Sequence, residues 1–144
     1  MADQKDTFES LANLSDADIL AALGNAYIGE NLAWIGTPTG PSPDEIRNPQ
    51  TIGRRLWRNF RPKLRALFCS ESETTKAIDS MQGPTISALV EYLIPLLTTS
   101  LVAAPLTTKV IAIIVGRIIV AAGRRKLCEV LHSDTETPLN DAGA

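Results

Sequence analysis

The chain has 144 residues, 44% of them apolar and 21% charged, with 14 basic side chains against 16 acidic ones for a formal charge of −2. That length and composition predict one core-bearing domain and exclude a wholly disordered, collagen-like, disulfide-scaffold or multi-domain chain. The slightly acidic balance supplies no global basic field for nucleic acid.

The N-terminal stretch 1–20 carries five acids against one lysine and no apolar run, the opposite of a secretory signal. A cytoplasmic location, with or without membrane association, is the expectation. Cys69 and Cys128 are therefore expected as reduced, half-buried small hydrophobes rather than as a bridge.

Charge is segregated along the chain. Residues 1–46 hold eight acids and one base, whereas residues 47–65 hold seven bases and no acid. The two blocks cancel, which predicts that they face each other in the fold.

Phe8, Leu11 and Leu14 fit a first short helix. Ser15-Asp-Ala-Asp18 then reads as a helix start, its serine oxygen accepting the Asp18 amide and its carboxylates favouring the positive helix end. Ile19, Leu20, Leu23 and Tyr27 follow at helical spacing. Gly24 and Gly29 each cost such a helix roughly 1 kcal/mol relative to alanine, which predicts a bend or a second short helix ending near Trp34. The proline-rich stretch 36–50 is a loop, closed by Asn48 as an N-cap and Pro49 in the first turn.

Residues 49–69 form a basic amphipathic helix. Leu56, Trp57, Phe60, Leu64, Leu67 and Phe68 share one side and Arg54, Arg55, Arg58, Arg61 and Arg65 the other. Pro62 is expected to kink or split it near 59–61. A polar stretch restarts a helix from about Ser70 to Met81, before Gly83-Pro84.

Residues 86–123 contain 25 apolar side chains in 38 and only three charges. The expectation is a helical hairpin over 84–132, with one helix to about Thr98 and a long one from Pro105 to His132. On a wheel of about 100° per residue, Arg117 and Arg124 fall near 80° and 60° from Lys109, and the rest of the long helix is apolar almost all round. Such a helix is buried by protein or by lipid. Cations flank the hairpin at both ends, and Ala112 and Gly116 form a small-xxx-small pair, as in membrane helix pairs. Against a membrane span stand the short uncharged run, its prolines and hydroxyl side chains, and Arg117 near mid-span, at a cost of roughly 2.5–3.5 kcal/mol. The tail 133–144 is polar and expected to be flexible.

Chemistry-bearing patterns are few. Gly24-Asn-Ala-Tyr-Ile-Gly29 has phosphate-loop spacing, but Glu30 stands where the loop needs a lysine. Cys128 and His132 share a helix face, yet two ligands do not close a zinc site. The carboxylate pairs sit at helix starts or in loops, where capping is their ordinary role. No catalytic constellation, cofactor or metal is expected.

The reading is thus an all-α bundle of five to six helices over residues 1–132. It is expected to be a non-enzymatic protein–protein interaction or adaptor protein. An acidic partner, or a further copy of the chain, would meet Arg54, Arg55, Trp57, Arg58, Phe60, Arg61 and Arg65, with the arginines steering and the aromatics anchoring. The alternative is a membrane-associated or pore-forming effector that inserts the hairpin 84–123. Ala112, Gly116, Arg117 and Val120 would then form a membrane or oligomer interface. Nucleic acid is the least favoured partner, because all sixteen acids of the chain lie outside the seven-base block.

Overall fold

A computed structural model describes residues 10–30, 47–101 and 103–132, and among these all regular structure is helical. A helical turn at 10–12 precedes six helices. They are α1 (Asp16–Glu30), α2 (Pro49–Phe68), α3 (Glu73–Ser80), α4 (Ile86–Leu101), α5 (Pro105–Ala122) and α6 (Arg124–His132). The expected helix at Phe8, the segment around Trp34, most of the proline-rich loop and the tail from 133 lie outside the described residues.

Local signals set most helix starts. Ser15 Oγ accepts the Asp18 N–H at 3.1 Å, and Asn48 Oδ1 accepts the Thr51 N–H at 3.3 Å ahead of Pro49. A reciprocal box opens α3, where Ser72 Oγ takes the Thr75 N–H and Thr75 Oγ1 takes the Ser72 N–H. Each satisfies an amide that has no partner within its own helix.

Three element expectations need correction. α1 runs unbroken through Gly24, whose missing side chain serves packing instead of a bend. A Cβ on Gly24 would overlap the carbonyl oxygen of Pro49, and one on Gly53 would overlap that of Leu20. The α1 and α2 backbones thus touch where they cross, and only glycine permits that approach. α2 likewise continues through Pro62, so the proline does not split it. Pro62 lies on the exposed side, where a carbonyl deprived of its N–H partner can turn to water. Third, the long C-terminal helix is two helices. Gly123 ends α5 at φ 89°, a left-handed conformation that favours glycine, and donates its N–H to the Ile119 carbonyl at 2.8 Å.

α5 is the centre of the molecule. An unbroken run from Val110 to Ile119 is buried, packed by α1, α4 and α6. Gly116 lets the α4 side chains of Val90 and Leu93 approach. Trp57, Leu64 and Phe68 of α2 and Leu127, Val130 and Leu131 of α6 complete a single cluster that reaches from Ala12 to Leu131. The apolar hairpin is therefore covered by the chain itself.

The cysteine expectation is also overturned. Cys69, the C-cap of α2, is disulfide-bonded to Cys128 of α6, with Cα atoms 5.6 Å apart. The two are 59 residues apart in sequence, a closeness no local pattern announces.

Candidate functional site

The basic helix α2 divides its residues much as its periodicity implies, with one revision. Ile52, Leu56, Trp57, Leu64 and Phe68 are buried, Trp57 completely. Trp57 is thus part of the core and touches no incoming partner, and Phe60 is half-buried against the same core. The cations remain outside. Arg55, Arg58 and Lys63 are exposed, while Arg54, Arg61 and Arg65 are partly so. Helix α2 contains no acid to offset them. Arg55, Arg58 and Arg61 already interact within the chain, and the Arg54 Nε is buried without a hydrogen-bond partner. Tyr27 of α1 lies near enough to Arg55 for its hydroxyl pKa to be pulled down by that cation. Burial outweighs the pull and leaves it raised above 10.0.

The second group of candidate residues turns inward. Ala112 and Gly116 are buried, Gly116 against Val90 and Leu93 of α4, whereas Val120 stays exposed at 39%. Arg117 is only 3% exposed, and its Nη2 donates to the Asp16 carboxylate. Its Nη1 donates to the Leu14 carbonyl at 2.7 Å and to that of Ala12 at 3.4 Å. Burial lowers the guanidinium pKa, and the Asp16 charge and hydrogen bond pull it back up.

At the other end of α1, the Glu30 carboxylate accepts the backbone N–H groups of Leu106 at 2.9 Å and Thr107 at 2.7 Å, and the Thr107 hydroxyl at 2.8 Å. The N-cap position of α5 is Ala104, which has no side chain to do this. A carboxylate from a different helix therefore caps α5 and meets its positive dipole end. Helix α1 runs antiparallel to α5 and is bound to it by charge at both ends. The span from Asp16 to Glu30 is about 21 Å and that from Thr107 to Arg117 about 15 Å along the helix axes. Two long side chains bridge the difference.

Of the acidic block expected to face the basic one, Asp3, Asp6, Glu9, Asp44 and Glu45 lie outside the described residues. α1 does pack on α2, but Asp16 and Glu30 bond to α5. Sequence reasoning missed both roles, along with Lys63 on the exposed side of α2. The run Ser15-Asp16 signalled a helix start, and nothing local linked Asp16 to a guanidinium 101 positions away.

Beneath this bundle, Arg124 joins three elements. Its Nε and Nη2 hold both oxygens of Asp79 on α3 at 2.8 and 2.9 Å, and its Nη1 donates to the Phe68 carbonyl at 2.7 Å. The disulfide engages Cys128, so no thiolate stands beside His132. Among the described residues no three His, Cys, Asp or Glu side chains gather as a metal site.

Fold and surface define a helical bundle with a self-covered apolar hairpin and a cation-bearing outer helix. Compared with protein-family models, curated proteins and solved structures, the chain matches none.

Proposed function

We propose that this chain is a non-enzymatic recognition protein that meets an acidic partner protein with the outer face of α2. One observation carries the reading. The apolar side of α2 packs on the core, while its outward side bears cations along 20 residues with no acid among them. Such a surface steers an oppositely charged partner and fixes its orientation. The arginines that have contacts within the chain hold a defined geometry before any partner arrives, which lowers the ordering cost of binding.

The test is charge reversal at the two exposed arginines of α2, Arg55→Glu with Arg58→Glu. Retention on an immobilised acidic coiled-coil peptide should be lost, with the helical circular dichroism retained. Retention equal to that of the parent chain would refute the reading.

A second reading is favoured by a separate observation. α5 is 18 residues long with a mean hydropathy of 1.8, enough by length and composition to cross a bilayer, although 67% of that window is buried in the fold. In that reading the hairpin α4–α5 leaves its covering helices and inserts. Detergent-free sedimentation as a discrete particle, with no flotation on anionic vesicles, would dismiss it.

A further inference from the structure

The Cys69–Cys128 bridge joins the C-cap of α2 to the middle of α6 and encloses α3, α4 and α5 in one covalent loop. We propose that this bridge is a reversible redox site, opened by a dithiol reductant and closed again by a small disulfide oxidant, in a bundle that keeps its fold in both states. The inference is independent of the reading of α2 as a recognition surface.

Access is the first support. Cys69 and Cys128 are both partly exposed, so a dissolved thiol can meet them without the helices parting. Disulfides open to solvent are the labile and regulatory ones, whereas sealed bridges act as inert staples.

A carbonyl shared by the two helices is the second. Cys128 Sγ lies 3.3 Å from the Phe68 carbonyl oxygen, and Arg124 Nη1 donates to the same oxygen at 2.7 Å. In the bridged form the sulfur has no hydrogen to give. Once reduced, the Cys128 S–H is a weak donor with an acceptor already in place. The carbonyl itself is held by Arg124 in either state.

The third support is what keeps α2 and α6 together when the bridge is open. Phe68 of α2 and Leu127, Val130 and Leu131 of α6 are buried in the common core. Arg124 ties the start of α6 to the end of α2 and to Asp79 of α3. None of these contacts uses a sulfur, so breaking the bridge leaves them intact.

The exchange balances as a two-electron step. One thiol of the reductant, as its thiolate, forms a bond to one cysteine sulfur while the Sγ–Sγ bond breaks. The other cysteine leaves as a thiolate and takes a proton from water. The second thiol of the reductant loses its proton and attacks the mixed disulfide at its own partner sulfur. That closes the oxidised reductant and releases the remaining cysteine, which is protonated in turn. The protein gains two electrons and two protons, and the dithiol loses the same.

The experiment treats the full chain, first oxidised with glutathione disulfide, with dithiothreitol in the absence of denaturant. Free thiols are trapped with a maleimide and counted by mass, and circular dichroism follows the helices. Both cysteines should become alkylated with the helical signal retained, and glutathione disulfide should restore the bridge after the reductant is removed. The rate of thiol release should be unchanged by urea below the unfolding transition, because exchange at an accessible bridge needs no opening of the fold. A release rate that climbs steeply with urea, or no release until the chain unfolds, would show a sealed staple and overturn the proposal. Loss of helix on reduction would overturn it too, by making the bridge a condition of folding. The double variant Cys69→Ser with Cys128→Ser reads the same point without reagent: it should be helical as purified, and an unfolded double variant refutes the two-state site. Failure of glutathione disulfide to close the bridge in the native chain would equally refute it.

Discussion

The buried guanidinium of Arg117 pairs with the partly buried carboxylate of Asp16 across 101 residues of sequence and also donates to the carbonyls of Ala12 and Leu14. This pair resolves what the helix wheel of α5 leaves open. A cation in the middle of an apolar helix is tolerable in a protein interior only when a partner and acceptors meet it. Asp16 supplies the charge and two carbonyls preceding α1 supply the acceptors. The Arg117 Nε alone has no partner.

Removing one member should therefore cost far more than removing both. Asp16→Ala leaves a guanidinium uncompensated and should destabilise the fold by about 3–5 kcal/mol. Asp16→Ala combined with Arg117→Met should recover much of that loss. Urea denaturation of the two singles and the double closes the cycle. A loss in the double equal to the sum of the losses in the two singles would show that the pair is not coupled.

Glycine positions separate packing from propensity. Gly24→Ala and Gly53→Ala each place a methyl into a carbonyl of the facing helix, so the α1–α2 crossing must open, at a cost of roughly 1–3 kcal/mol. Gly29→Ala meets nothing within 4 Å and should gain up to about 1 kcal/mol from helix propensity. Thermal melts of the three variants should give opposite signs. A gain in Gly53→Ala would disprove the close crossing.

The disulfide closes a loop between residues 59 apart, and the chain-entropy relation assigns such a loop about 4 kcal/mol of stabilisation. Denaturation with and without a dithiol reductant should show a loss of that order. The double variant Cys69→Ser with Cys128→Ser should not respond to reductant. A reductant effect that persists in the double variant would place its origin elsewhere.

The Asp79–Arg124 contact predicts a pH dependence. The Arg124 hydrogen bond lowers the Asp79 pKa from its ordinary 3.8, against a smaller upward push from burial. A carboxyl with a depressed folded-state pKa stabilises above its unfolded value and loses that contribution as pH falls through the folded one. The stability difference between the parent chain and Asp79→Asn should accordingly be constant near neutrality and shrink below about pH 4. Asp79 is half-exposed, at 51%, so solvent screening holds the difference to at most about 1 kcal/mol. A difference that grows on acidification would contradict the pairing.

Much of this architecture is written in local pattern. Asn48-Pro49, the basic periodicity of 49–68, the polar restart before α3 and the apolar runs of α4 and α5 each appear in the structure close to where spacing puts them. The departures share a cause. Pro62 and Gly24 carry helix-breaking propensities of one to a few kcal/mol, and tertiary packing of α2 and α1 overrides them. Gly123 acts oppositely. Apolar periodicity runs through it, and its left-handed backbone ends α5 all the same.

The candidate surface divides in the same way. Periodicity told which α2 side chains share a side, and so which arginines stay outside. It left the depth of Trp57 unspecified, because an aromatic beside a cation stripe serves equally as an anchor or as core.

What the amino-acid order determined by itself is the helical class, most helix boundaries and the sidedness of α2, since these depend on interactions within a few residues. What only the tertiary structure decided is who covers α5, who caps it and where the two cysteines meet. Those outcomes depend on Asp16, Glu30 and Cys69 finding partners 59 to 101 positions away. Contacts at such separations leave no periodic trace, because they are selected by the packing of whole helices around one core.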